Sequence, residues 1–228
     1  MNIAIILAGG TGSRLGASIP KQYIEVKDQP IFAYCLETLE NHSQIDAIQV
    51  VADEGWRPLI GAWAGEKLRG FSEPGANRQL SILNALEDVR MFASDEDVVL
   101  IHDAARPFVS TEMITACLIG CIAHEGVMPA LPLKDTVYYG SDGRIESLLE
   151  RSRIVSGQAP EAFRLAPYYK ANKALTREQL LQINGSTEPA VMAGMDVCYI
   201  PGDEMNFKIT TAEDLKRFEH ILEMTSGS

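Results

Sequence analysis

MNIAIILAGGTGSRLGASIPKQY, from Met1 to Tyr23, sets a strand, a glycine loop and two cations in succession at the head of the chain. Ile3 to Leu7 is an unbroken apolar run rich in β-branched residues, the pattern of a parallel strand buried on both faces. Gly9, Gly10 and Gly12 follow, where the backbone is free of the restrictions of a Cβ and several N–H groups can turn toward one anion. Arg14 comes next and, after the rigid Ile19-Pro20 pair, Lys21. A glycine loop after a strand is by itself more often a tight turn than a binding loop. With two fixed cations beside it, it is a place to hold a polyphosphate. Two common phosphate loops are excluded. The Walker A pattern requires Lys and then Ser or Thr after G-x-x-x-x-G, which no window supplies. The dinucleotide fingerprint starts at Gly10-Thr11-Gly12 but has Leu15 in place of its third glycine and runs into Pro20 instead of a helix.

The chain of 228 residues suits one α/β domain with a single substantial core. Its net charge of −11 argues against a nucleic-acid-binding surface, so its basic residues act locally. Cys35, Cys117, Cys121 and Cys198 form no C-x-x-C pair and read as reduced core residues of a cytoplasmic protein. Ile3 to Leu7 is too short for a signal-peptide core, and no run approaches the roughly 20 apolar residues of a membrane span.

Downstream, the pattern predicts a helix carrying Ile31, Phe32, Cys35, Leu36 and Leu39, capped by Asp28 or Gln29, and a strand from Ile45 to Ala52. Asp53 to Pro74 lacks periodicity and reads as a short helix and a loop. Glu73 to Arg78 turns into a helix from Gln79 to Phe92; its polar start is either an ordinary helix beginning or an anion- or base-binding site. The strand Asp97 to Ile101 ends in His102-Asp103-Ala104-Ala105-Arg106-Pro107. Open parallel sheets place ligands at such strand ends, which makes Asp103 and Arg106 site candidates, with a structural Asp–Arg pair as the alternative. Ser110 caps a helix to about His124, ended by Gly126, and Val127 to Leu131 is a strand. Residues 136–149 read as an exposed hairpin turning at Gly140 to Gly143, with Arg151 and Arg153 beyond it. Ala166 to Leu181 reads as one helix, Val197 to Ile200 as the last strand, and Thr210 with Glu213 as the capping box of the closing helix. His42, His102, His124 and His220 lack metal-ligand spacing, and His102 suits a structural hydrogen bond. There is no G-x-S-x-G elbow or catalytic cysteine setting, which leaves phosphate chemistry.

The order of these pieces resembles the cytidylyltransferases of sugar-alcohol phosphates, the family of 2-C-methyl-D-erythritol 4-phosphate cytidylyltransferase and ribitol-5-phosphate cytidylyltransferase. The matching motifs are LAGGTGSRLG with Pro20-Lys21-Gln22-Tyr23, Gly75 to Ser81 (GANRQLS), HDAARPF, Lys134-Asp135-Thr136, and NFKITTAEDL. The resemblance implies a Rossmann-like, mostly parallel sheet with helices on both faces, like that of nucleotide-diphospho-sugar transferases. It adds a protruding β-arm at about 136–152 that embraces a second subunit. It implies that CTP lies over Leu7, Ala8, Gly9 and Gly10, with Gly75, Asn77, Arg78 and Ser81 near base and ribose. It assigns Arg14 and Lys21 to transition-state stabilisation and Arg151 and Lys208 to orienting the substrate phosphate, Arg151 reaching into the partner's site. Mg²⁺ is expected on the CTP phosphates, with no protein metal site. The partners implied are CTP, a sugar-alcohol phosphate and a second copy of the chain, with no nucleic acid or membrane.

The chemistry agrees with a site rich in Arg and Lys. A phosphomonoester is already largely a dianion at neutral pH, its second pKa being about 6, so attack on the α-phosphorus of CTP needs no general base. It needs cations to hold the crowded phosphates. The sequence departs from the family where Gln-Thr-Pro-Gln is replaced by Gln158-Ala159-Pro160-Glu161, and where the Thr-Asp-Asp or Thr-Asp-Glu segment becomes Gly185-Ser186-Thr187-Glu188-Pro189. Both departures fall on the acceptor side, so the CTP half is the firmer one and the polyol phosphate stays open between methylerythritol phosphate, placed first, and ribitol phosphate. A sugar-1-phosphate nucleotidyltransferase using UTP or GTP, or a non-catalytic nucleotide-binding module, is a more distant alternative.

Overall fold

The computed structural model describes residues 1–10 and 19–226. Strand β1 (Asn2–Leu7) lies in the interior of the sheet, and its apolar run is explained by what lies on each side. Ala4 and Ile6 point into one core with Phe32, Leu36 and Leu39 of helix α1 (Ile31–Asn41), whereas Ile3 and Ile5 point into a second. With both faces covered, alternation has no role and every position from Ile3 to Leu7 is apolar. Each such Ile contributes on the order of 1.5–3 kcal/mol by leaving water.

Before α1 the chain forms a small ladder, β2 (Glu25–Val26) with β3 (Gln29–Pro30). Lys27 and Asp28 turn it with φ of 52° and 61°, so Asp28 is consumed by the turn and the helix starts from Pro30 without a side-chain cap. Strand β4 (Ala47–Val51) pairs parallel with β1. The aperiodic stretch contains helix α2 (Arg57–Trp63) and a strand that the sequence pattern does not show, β5 (Leu68–Ser72), parallel to β4 at the sheet edge. Helix α3 (Arg78–Val89) packs Ile82, Ala85, Leu86 and Val89 on the second face. Strand β6 (Val98–Asp103) pairs with the other edge of β1. Helix α4 (Thr111–Ala123), capped by Ser110, returns to the first face. Gly126 starts strand β7 (Gly126–Pro132) rather than merely ending the helix.

The predicted hairpin is present as β8 (Tyr138–Ser141) and β9 (Arg144–Leu148), turned at Asp142 and Gly143, whose φ values are 49° and 76°. Two successive positive φ angles are what an Asp-Gly hairpin turn provides. Gly140 lies inside β8, beside a register shift, where a Cβ would come within 2.6 Å of the Arg144 carbonyl oxygen. Among the described residues the two strands pair only with each other, and all their side chains are exposed.

Two antiparallel strands follow, β10 (Val155–Gly157) on β7 and β11 (Glu161–Arg164) between β7 and β6. The expected single helix is two, α5 (Leu165–Lys173) and α6 (Arg177–Gln182), because Thr176 and Gln179 form a capping box that starts a new one. A short helix α7 (Glu188–Met192) precedes β12 (Val197–Pro201), which lies parallel on the remaining edge of β7. The closing helix α8 (Ala212–Ser226) has its box one residue later than expected. The Thr211 hydroxyl accepts from Asp214 N, and the Asp214 carboxylate accepts from the N–H groups of Thr210 and Thr211. The eight-stranded sheet thus runs β10-β7-β11-β6-β1-β4-β5 with β12 on β7, mostly parallel, as expected.

Candidate active site

The carboxyl ends of β1 and β6 and the start of α3 enclose a cavity of about 370 Å³, a size typical of small-molecule sites. Leu7, Gly9 and Gly10 form its wall at the end of β1. Gly9 approaches Pro74 so closely that an added Cβ would lie 2.7 Å from the proline ring, whereas a Cβ on Gly10 would meet open space. Opposite, Asn77 caps α3 by accepting from Leu80 N at 2.9 Å, and its amide donates to Leu180 O at 2.8 Å. The Ser81 hydroxyl accepts from Gly75 N and donates to Asn77 O, both at 2.9 Å. These side chains set the turn that lines the cavity.

The floor is a buried charge cluster around Asp103. Its Oδ1 accepts from Arg78 Nε at 3.0 Å and its Oδ2 from Lys208 Nζ at 3.0 Å, with Arg106 Nε 3.6 Å away. Burial alone would raise this carboxyl, but the three cations outweigh it and hold Asp103 well below the usual carboxylate range. Arg78 also faces Glu161 at 3.7 Å, and its NH1 donates to Ser186 Oγ at 2.5 Å. Burial would lower the guanidinium, yet Asp103 and Glu161 raise it above its ordinary value. Glu161 is raised by burial, with Arg78 opposing. It accepts hydrogen bonds from the hydroxyls of Ser186 and Thr187. His102, wholly buried, has Nε2 3.0 Å from Arg106 O, and burial pushes it down to about 4, so it is neutral and structural.

Lys21, Gly9, Gly10, Leu7, Gly75, Asn77, Arg78, Ser81, Asp103 and Lys208, anticipated from the sequence, therefore meet at one cavity. Lys21 Nζ donates to the Ile209 carbonyl, tying the glycine-loop side to the segment that carries Lys208. Ala8 is buried behind the wall, and its carbonyl accepts from the Gln22 amide and the Tyr23 hydroxyl. Arg106 does not line the cavity: it braces Asp103 from behind and donates to Asn206 O at 2.7 Å. Arg151 is exposed at the base of the arm, donates to the Lys134 carbonyl and lines a separate opening of about 660 Å³ with Tyr199 and Pro201. Arg14 lies outside the described residues. Gln22 and Thr210 lie inside motifs read from the sequence, but their place at the cavity was not anticipated, and the Glu161–Ser186 contact, 25 residues apart, carries no local pattern at all. Among the described residues, no group of three or more His, Cys, Asp and Glu is placed to hold a metal, and both oxygens of Asp103 are taken by cations.

An open α/β sheet with a glycine wall, a helix start and converging cations at its strand ends has the architecture of the nucleotidyltransferase class. The family model of 2-C-methyl-D-erythritol 4-phosphate cytidylyltransferase (IspD) matches residues 2–224, and the chain belongs to that family. The chain is 36 % identical over 220 residues to 2-C-methyl-D-erythritol 4-phosphate cytidylyltransferase of Geobacter metallireducens, covering 93 % of each. It is 30 % identical over 233 residues to ribitol-5-phosphate cytidylyltransferase of Lactiplantibacillus plantarum, covering 99 % of this chain and 100 % of that one. The crystal structure of the Francisella tularensis enzyme superposes with a TM-score of 0.81 at 25 % identity, over 96 % of this chain and 98 % of that one. Some relatives are longer: the chain spans 56 % of a bifunctional IspD/IspF enzyme of Bradyrhizobium diazoefficiens.

Proposed function

We propose that the protein transfers the cytidylyl group of CTP to a sugar-alcohol phosphate, 2-C-methyl-D-erythritol 4-phosphate being the first choice of acceptor. The observation that carries this reading is the convergence of Lys21 and Lys208, from opposite ends of the chain, on the cavity walled by Gly9 and Gly10. An acceptor phosphate oxygen attacks the α-phosphorus of CTP; the new O–P bond forms as the bond to the β-phosphate oxygen breaks, and pyrophosphate departs with the electron pair. Lys21 and Arg14 hold charge on the reacting phosphates, Lys208 and Arg78 orient phosphate oxygens, and the turn at Gly75 to Ser81 receives the nucleoside. Mg²⁺, carried mainly by the phosphates of the nucleotide, would supply charge neutralisation of the triphosphate.

The active unit is proposed as a cytoplasmic homodimer joined through the arm. Support comes from the exposed Tyr139, Ile145 and Leu148 on a two-stranded ladder that is marginal in water alone. Arg151, which lines an opening separate from the cavity of its own chain, then serves the partner's site. Among the described residues no helix is long and apolar enough to cross a membrane.

The test follows pyrophosphate release with CTP, UTP, GTP or ATP and with 2-C-methyl-D-erythritol 4-phosphate or ribitol 5-phosphate. The expected result is turnover with CTP alone and a large preference for the methylerythritol phosphate. Preference for ribitol 5-phosphate, which the likeness to the ribitol enzyme favours, moves the acceptor while leaving the chemistry intact. Turnover with another nucleotide refutes the base assignment.

A further inference from the structure

Gln22 stands on the rim of the cavity yet is only 3 % exposed. Its amide nitrogen donates to Ala8 O at 2.5 Å and to Gly10 O at 2.7 Å. Two carbonyl oxygens can be faced only by the NH₂ end of the amide, so the orientation of the side chain is fixed and both of its donor hydrogens are used. The Tyr23 hydroxyl adds a third bond, to Ala8 O at 3.0 Å, and the Tyr23 ring stacks on Trp56 at 4.1 Å. The donors are carried by the one-turn helix Lys21–Tyr23, which begins directly after Pro20.

Two consequences follow from peptide geometry. In a trans peptide the carbonyl and the next N–H point in opposite directions, so pinning Ala8 O toward Gln22 turns the Gly9 N–H away from it. The same short helix carries Lys21, so its ammonium and the wall formed by Gly9 and Gly10 hold a fixed relation through the neighbouring side chain. A buried amide bonded to two backbone carbonyls is also costly to disturb, because leaving either oxygen unpaired costs its desolvation.

We propose that Gln22 is a positioning residue for nucleotide binding: by holding the Ala8 and Gly10 carbonyls it orients the glycine wall and registers Lys21 against it, so that both meet one triphosphate. The proposal rests on the cytidylyl-transfer reading. Pre-oriented donors act without reorganising when the ligand arrives, so the loss should appear in nucleotide affinity and not in acceptor affinity.

The test compares wild type with Gln22→Met, which keeps the length of the side chain and removes both donors, in steady-state kinetics and in thermal unfolding with and without CTP and Mg²⁺. Expected are a KM for CTP raised about tenfold or more, an unchanged KM for the acceptor, and a CTP-induced shift in Tm clearly smaller than that of wild type. A Gln22→Met protein whose Tm falls equally with and without CTP, with wild-type KM for CTP, overturns the proposal and leaves Gln22 a structural residue. Should that variant not fold, Gln22→Asn, with its amide one methylene short, is read by the same two criteria. Wild type serves as the control: if it is stabilised by another nucleotide, the cytidylyl reading fails, and the role of Gln22 is tested with that nucleotide.

Discussion

Replacing Asp103 by Asn separates the structural from the chemical role of the charge cluster. The carboxylate, with 10 % of its side chain exposed, faces Arg78 at 3.0 Å, Lys208 at 3.0 Å and Arg106 at 3.6 Å. Asparagine keeps one acceptor oxygen and the volume but leaves three cations without their shared counter-charge. Breaking a buried pair in this way costs about 3–5 kcal/mol, and the partial exposure of Arg78 and Lys208 points to the lower end, about 3 kcal/mol. In a domain of this length that corresponds to a Tm lower by about 6–12 °C. The pH dependence carries the sign of a depressed carboxyl. Its contribution is fully present above the unfolded value of about 3.9 and is lost as pH falls through the lower folded value. The deficit of Asp103→Asn should therefore be constant from pH 7 down to about pH 4 and shrink below it. Because a triphosphate returns negative charge to the same cations, CTP should stabilise the variant by more than it stabilises wild type. Urea unfolding at several pH values, with and without CTP, measures all of this. A variant within about 1 kcal/mol of wild type at pH 7 would refute the account of Asp103 as the keystone of the cluster.

Lys21→Ala and Arg14→Ala are each expected to lower turnover about a hundredfold, and Lys21→Ala to cost at most about 1.5–3 kcal/mol of unfolding free energy through its bond to Ile209 O, as measured by pyrophosphate release and urea titration; near-normal turnover would leave either without a role in the chemistry. His102, pushed down to about 4 by burial, leaves the folded chain one proton short of the unfolded chain between pH 6.5 and 4, so stability should fall as pH falls through that window, by up to about 3 kcal/mol. His102→Gln should flatten the part of that slope between pH 6.5 and 5, and an unchanged slope would assign it to other groups. Mixing inactive Lys21→Ala and Arg151→Ala proteins under conditions of subunit exchange should restore activity, because some mixed dimers assemble one site with both cations intact; exchange without recovery would place Arg151 in its own subunit's site.

Where a residue's structural fate is decided by its neighbours in sequence, it was legible. Ile3 to Leu7 declares a strand covered on both sides because all of its positions are apolar, and Asp142-Gly143 declares a hairpin because both need positive φ. Thr176 and Gln179 carried an equally local signal, a capping box that divides α5 from α6, inside what periodicity alone joins into one helix. By contrast β5 reads LRGFS, an edge strand with an exposed arginine and an internal glycine, held by pairing to β4 rather than by any pattern of its own. Strand β11 reads EAFR and is harder still, since its first residue is a buried carboxylate. Asp103 and Arg106 were found together from HDAARP, but their unequal roles were not. Only the fold shows that one faces the cavity and the other stands behind it.

The same reasoning explains why the nucleotide half of the site could be read and the acceptor half could not. Gly9, Gly10 and Lys21 lie in one continuous stretch, as do Gly75 to Ser81, so each wall of the nucleotide cavity is written as a word. The two departures from the family pattern, at 158–161 and 185–189, look independent in sequence and are one unit in space. Glu161 brings a buried charge, which is costly unless it is paired and hydrogen-bonded. Ser186 and Thr187 supply the hydrogen bonds, and Arg78 supplies the opposite charge. Ser186 in turn accepts from Arg78, whose other contact is Asp103. A glutamine at 161 would remove the charge that helps fix Arg78, and an aspartate at 187 would set a second carboxylate against the first. The substitutions are thus mutually compensating, and any acceptor preference they create belongs to the linked set of Glu161, Ser186, Thr187 and Arg78 rather than to any one of them.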